Sequence, residues 1–303
     1  MTKVIYIAGY GRSGSTILDM LLGMHPDIAG CGELAHIFDE WINAKLCSCR
    51  KEYDNCPYWL PIVQAFKANF SNVTYEEALQ LTRKIETVPT ISNSAKDRKQ
   101  YAEIWQFLIK AISDRANVST IVDSSKSTRL TARRATTLGN IRELDINIIH
   151  LCRDPRAVLW SSLQGANRKL EAGYTEGKSA QYRGGIYRTI LSWTATNFYV
   201  HVMQRVQEMP FVQVRYEDLV AEPLVELERI GAAFNLDMQP VQDLLKEGDP
   251  LMAGHGIAGN RLRRKGVQKL EIKNEWYTKL PRKARQAAWL GWPLAKYYGY
   301  KFR

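Results

Sequence analysis

At 303 residues, 45% of them hydrophobic, the chain is long enough for one large domain or two small ones. Subtracting its 31 acidic from its 42 basic residues leaves a net charge of +11, which favours an anionic partner. No apolar run approaches the ~20 residues of a membrane-spanning helix, which excludes an integral helical membrane protein.

The first apolar run, Val4–Ala8, turns through Gly9, Gly11 and Gly14 into Ser15-Thr16, and helical periodicity continues from Ile17 to Met24. A strand, a glycine turn and a helix N-terminus make an anion cradle. Glycines admit close backbone approach, and the unpaired N–H groups of the first helical turn point at an oxyanion. The spacing Gly9-x4-Gly14-x-Thr16 nearly matches the phosphate loop G-x4-G-K-[ST], but Ser15 stands where the lysine belongs and Arg12 supplies the cation. Hydrolysis of ATP or GTP is disfavoured, because the loop lacks its usual lysine and the sequence shows no obvious acidic magnesium partner. Because the strand starts within about three residues of Met1, no room is left for a secretory leader, and a cytoplasmic location is expected.

Five cysteines follow: Cys31, Cys47, Cys49, Cys56 and Cys152. The spacing Cys47-x-Cys49-x6-Cys56 is compatible with reduced structural thiols, with a disulfide, or with zinc if His36 or an outside ligand completes a tetrahedron. Reduced thiols are the expectation. Residues 60–117 are helical in pattern and separate the first two strands, Val4–Ala8 and Thr120–Asp123, so they are expected to form a helical cap.

Lys126 follows the second of these runs, and a third, Ile146–Cys152, leads into Arg153-Asp154-Pro155. Pro155 suits a first helical turn, where its missing N–H costs little. Arg153 and Ser161, eight residues apart, can set a guanidinium fork and a hydroxyl on one phosphate. Residues 165–185 read as a basic, glycine-rich loop, with a lid and a plain exposed loop both open, and Ile186–Met209 as a long amphipathic helix. The fourth run, Phe211–Tyr216, is followed by Glu217-Asp218, and Arg261–Lys265 reads as solvated loop charge. Apolar runs buried on both faces and separated by helices predict a parallel sheet in an α/β fold, with the ligand at the carboxyl ends of the strands. No linker divides the chain, so 1–303 is expected to be one domain. The basic residues form no arm or aromatic-basic stripe, so a small, highly charged ligand is expected rather than nucleic acid.

These motifs resemble the sulfotransferases that use 3′-phosphoadenosine 5′-phosphosulfate (PAPS). Gly11-Arg12-Ser13-Gly14-Ser15-Thr16 resembles the family's 5′-phosphosulfate loop, and Arg153 to Ser161 its 3′-phosphate motif. Val214–Leu219 is similar to its later strand-end motif, and His255–Arg261 to the segment that closes over the nucleotide. The loop arginine, His25-Pro26 and Cys31-Gly32-Glu33 look more like the tyrosyl-protein and carbohydrate branch than the cytosolic phenol branch.

The resemblance implies a P-loop-like core and transfer of a sulfuryl group to a hydroxyl or amine of a small acceptor, a natural product or carbohydrate included, with release of 3′,5′-adenosine bisphosphate (PAP). It implies that Arg12, Ser13, Ser15, Thr16 and the loop glycines hold the phosphosulfate, with Tyr216, Gly259, Asn260 and Arg261 near the nucleotide and Arg263 as a further phosphate clamp. Lys126 would stabilise charge at the bridging oxygen. Glu33 resembles a catalytic glutamate that accepts the acceptor's proton, provided burial raises its pKa; His36 is the reserve. No metal is expected to be required. The competing readings are an ATP-dependent phosphotransferase and a non-catalytic nucleotide- or RNA-binding module.

Overall fold

Each of the four apolar runs forms a strand in the computed structural model, which describes residues 1–88, 93–164, 185–259, 262–271 and 274–302. The strands are β1 (Thr2–Ala8), β3 (Thr120–Asp123), β4 (Leu144–Cys152) and β5 (Phe211–Arg215). A fifth strand not anticipated from the sequence, β2 (Ile28–Gly30), adds one edge. All pairings are parallel, in the order β2-β3-β1-β4-β5. The expected fold class is therefore the observed one. Tyr216 opens a helix rather than ending β5.

The chain leaves β1 toward β2 on one side and later fills β4 and β5 on the other, so β1 and β4 part at a topological switch point. A crevice at their carboxyl ends is the usual ligand position in such sheets. β1 sends its side chains alternately into two cores. Val4, Tyr6 and Ala8 pack on one face, and Ile5 and Ile7 on the other, all buried.

The first face is covered by the helices inserted between β2 and β3. These are α2 (Ile37–Ile42), α3 (Leu60–Asn69), α4 (Tyr75–Glu86) and α5 (Ala95–Ala116). The last three lie within 60–117, the stretch the sequence reads as helical. Capping boxes at Thr74/Glu77 and Ser94/Asp97 start α4 and α5. The opposite face packs on α1 (Ser15–Leu22) and on the helices after β5, namely α9 (Tyr216–Ala221), α10 (Pro223–Phe234) and α11 (Gln239–Glu247). Between β3 and β5 lie α6 (Arg134–Gly139), α7 (Pro155–Leu163) and α8 (Ile186–Val206).

Helix α8 departs from the amphipathic reading, because Tyr187, Leu191, Phe198, Val202 and Val206 are all exposed. The loop read over 165–185, lid or plain exposed loop, lies outside the described residues except for Gly185. No helix among the described residues is long and apolar enough to cross a membrane.

Candidate active site

The loop from Gly9 to Gly14 turns as its glycines require. Gly9 (φ 118°) and Gly14 (φ 99°) are left-handed. A Cβ on Gly9 would overlap the Leu151 carbonyl at the end of β4, and one on Gly14 would overlap the Tyr216 ring. Arg12 shares the left-handed region at φ 71°, an uncommon conformation for a side chain of that size. Gly14 caps α1, its carbonyl accepting from the amides of Ile17 (2.9 Å) and Leu18 (3.1 Å).

The turn after β4 joins this loop. Arg12 donates to the Ser161 carbonyl at 2.6 Å, and Arg153 donates to the Arg12 carbonyl at 3.0 Å. The Arg153 guanidinium lies over the Tyr216 ring, 4.2 Å from its centroid. Asp154 caps α7 by accepting from the Arg156 amide at 2.8 Å, with Pro155 in the first turn as its ring predicts. Arg12, Gly14, Arg153, Ser161 and Tyr216, expected at one site, are thus brought together. Two buried polar atoms here, Ser13 Oγ and Arg153 Nε, have no hydrogen-bond partner among the described residues. Unpaired buried donors are costly, and anionic oxygens satisfy them. The residues present therefore fit a bound phosphate group.

Lys126 reaches the same place from the end of β3. Its stem runs beside Gly11, where a Cβ would stand 3.9 Å from Lys126 Cδ, and its ammonium makes a short ion pair with Glu33 Oε1. Its backbone is left-handed at φ 66°. Three contacts lock that conformation: the Lys126 carbonyl accepts from Tyr6 and from Thr131 Oγ1 (2.9 Å), and the next amide, Ser127, donates to Gly9 (3.0 Å).

Behind the loop lies a buried triad that the sequence reading missed. Arg134 donates to Asp123 at 2.7 Å and to Glu86 at 2.5 Å, and stacks on Trp105 with 3.8 Å to the ring centroid. Asp123 also accepts from the Ser125 amide at 3.0 Å, and Ser125 Oγ accepts from the Ala35 amide at 2.9 Å. The triad therefore fixes both the Lys126 loop and the segment after Glu33. Asp123 had a signal, as an acid ending a strand; Arg134 and Glu86 had none.

Glu33 lies just past β2. Its amide donates to the Ile257 carbonyl at 2.8 Å, and Gly32 accepts from the Ser124 amide at the same distance. A Cβ on Gly259 would stand 3.7 Å from both Glu33 Oε1 and Thr16 Oγ1, so the late loop closes against these two residues. Asn260 and Arg261 lie outside the described residues. Two expectations are corrected here. Burial pushes the Glu33 carboxyl up, but the Lys126 ammonium, His36 and Arg263 outweigh it, and the group is held below the usual glutamate range. Arg263 is not solvated charge: it is buried and donates to the carbonyls of Gly256 (2.8 Å) and Leu46 (3.2 Å).

His36 sits 3.6 Å from Glu33 Oε2 and is not beside the cysteine cluster. Beneath the site, Asp19 on α1 accepts from the Gly32 amide at 3.1 Å, and burial raises its carboxyl to about 7. A cavity of about 460 Å³ adjoins the turn after β4, lined in part by Arg153, Tyr216, Arg215, Trp276, Tyr300 and Lys301. Glu217 braces its floor, accepting from the Asp154 amide (3.1 Å) and from Tyr300 (2.9 Å).

Comparison with known proteins bears on the fold and the family. The fold is similar to the sulfotransferase domain from the curacin biosynthetic pathway, at 19% identity and a TM-score of 0.54, with 100% of this chain and 99% of that one covered. It is also similar to the sulfotransferase domain from the Synechococcus PCC 7002 olefin synthase, at 20% identity and a TM-score of 0.50, covering 99% and 96%. No curated protein matches the chain. A sequence profile of the sulfotransferase family matches residues 5–240, from the first strand to the start of α11, and the chain belongs to that family.

Proposed function

We propose that this sulfotransferase takes its sulfuryl group from PAPS, delivers it to a hydroxyl or amine of a small-molecule acceptor, and releases PAP. The observation that carries the reading is the meeting of Gly11, Thr16, Glu33, Lys126 and Gly259 beside an anion loop with unpaired donors on Ser13 and Arg153. Arg12, Ser13, Thr16 and the amides opening α1 bind the 5′-phosphosulfate. Arg153 and Ser161 bind the 3′-phosphate, and Tyr216 packs beside the nucleotide.

Sulfuryl transfer in line from phosphate to acceptor needs positioning and charge neutralisation more than covalent chemistry from the protein. Arg12 and Lys126 supply the positive charge at the leaving phosphate. Glu33 accepts the acceptor's proton as a carboxylate kept ionised by Lys126, rather than through the raised pKa that burial alone would give. Its pairing with Lys126 makes the two roles interdependent, since the ammonium that depresses Glu33 is the one that serves the bridging oxygen. The names of the two similar structures, from a biosynthetic pathway and an olefin synthase, support a small-molecule acceptor.

The test is incubation with PAPS and panels of phenols, alkyl alcohols, sugars and amines, followed by mass spectrometry for PAP and a sulfated product. PAP appearing with a sulfated panel member is the expected result. A phosphorylated product formed from ATP, with PAPS left intact across the panels, would overturn the proposal.

A further inference from the structure

The loop between α2 and α3 and the loop after α11 meet at a cluster the proposed reaction does not use. Cys47, Cys49, Cys56 and His255 place their ligand atoms within 4.8 Å of one another. Cys56 Sγ lies 3.2 Å from His255 Nδ1, Cys47 Sγ lies 3.6 Å from it, and the sulfurs of Cys49 and Cys56 are 3.6 Å apart. A tetrahedral zinc ion with bonds of about 2.3 Å to sulfur and about 2.0 Å to nitrogen has edges of about 3.8 and 3.5 Å. A disulfide needs its sulfurs at about 2.05 Å, and all three cysteines are free.

The backbone is shaped for the same purpose. Arg50 is left-handed at φ 66°, its amide donates to the Cys47 carbonyl at 2.9 Å, and the Cys47 amide donates to Lys51 at 2.9 Å. This tight knuckle turns the amides of Cys49 and Lys51 toward the sulfurs of Cys47 and Cys49, as thiolates require. The His255 ring is held from behind by parallel stacking on Tyr58, with centroids 4.9 Å apart, and its carbonyl accepts from Trp59 at 2.6 Å. The histidine is thus oriented with Nδ1 toward the thiols by packing alone.

We propose that Cys47, Cys49, Cys56 and His255 bind one structural zinc ion. On binding, each of the three thiols gives its proton to solvent and its sulfur lone pair to the metal, and His255 Nδ1 supplies the fourth bond. With four protein ligands no position is left open for substrate, so the ion is a staple rather than a catalyst. What it staples is the late loop. Two residues beyond His255, Ile257 exchanges backbone hydrogen bonds of 2.8 Å with Cys31 and Glu33, and Gly259 then closes on Thr16 and Glu33. Zinc would thereby tie the cap-side loop to the segment that positions Glu33, whichever donor the site uses.

The test is elemental analysis of the full chain purified without chelator, alongside Cys49→Ser, His255→Ala and a Cys152→Ser control. Cys49 is exposed, so its substitution spares the core. Zinc near one equivalent in the parent and the control, falling below about 0.2 equivalent in the two ligand variants, is expected, with a thermal midpoint on the order of 10 °C lower once a chelator has removed the metal. Replacement of zinc by cobalt in the unmutated protein should give the visible absorption of a tetrahedral thiolate site. Less than about 0.1 equivalent of zinc in the parent after growth with added zinc would overturn the proposal. So would a disulfide among the three cysteines in non-reduced peptide maps, or zinc retained in both ligand variants.

Discussion

Lys126 and Glu33 are the pair on which the proposed chemistry turns, and each carries a mark of its task. Lys126 holds a left-handed backbone that costs roughly 1 kcal/mol or more and persists because Tyr6, Thr131 and Gly9 grip it. Glu33 is partly buried yet stays ionised because Lys126 stands against it. Glu33→Gln should lower kcat by about 100-fold or more while leaving PAP affinity within about threefold, the signature of a lost general base; kcat within threefold of the parent would remove Glu33 from that role. Lys126→Met leaves burial unopposed by the ammonium, so the Glu33 carboxyl rises. The acidic limb of the residual pH–rate profile should then move to higher pH, and an unmoved limb would mean that the pair does not govern proton transfer.

The loops after β1, β2 and β3 are tied to one another, and buried groups under them set how firmly. Arg134 on α6 bridges Asp123 on β3 and Glu86 on α4 with no exposed surface. Arg134→Met leaves two carboxyls without their cation and should cost about 3–5 kcal/mol of unfolding free energy by urea titration; a loss under about 1 kcal/mol would show that the triad does not bind these elements together. Asp19 on α1 acts in the opposite sense. Its carboxyl is raised from 3.8 to about 7, so between those values the folded chain holds a proton that the unfolded chain has released. Its contribution to stability therefore falls as pH rises through that window, and the full penalty stands above pH 7. Asp19→Asn should gain stability over the parent on going from pH 5 to pH 8, by on the order of 2 kcal/mol. An unchanged difference between the two proteins would contradict that assignment.

Taken together, the molecule separates what its sequence declares from what only folding creates. The strand–glycine turn–helix at residues 4–22 and the strand leading to Arg153 were readable, because their periodicity and turn chemistry are local. The parallel sheet followed from four apolar runs; β2 did not, being three residues at an edge with no run to betray it. Lys126 was visible as a cation after a strand, whereas Arg134 and Glu86 are joined across 48 residues and leave no pattern. The same long reach hid the fourth member of the cysteine cluster, since His36 is near in sequence but His255 is near in space. Arg263 looked solvated in a basic run and is in fact buried against main-chain carbonyls.

The claim that organises all of this is that the crevice between β1 and β4 is built for a nucleotide bearing a 3′-phosphate. Calorimetric titration with PAP and with ATP, first in EDTA and then in magnesium, addresses it directly, because the proposed reading has Arg153 and Ser161 hold the 3′-phosphate that PAP carries and ATP lacks. Tight binding of PAP in EDTA, with ATP weaker by about 100-fold or more, is the predicted result. Preference for ATP in magnesium, with PAP binding weakly in both buffers, would contradict the account.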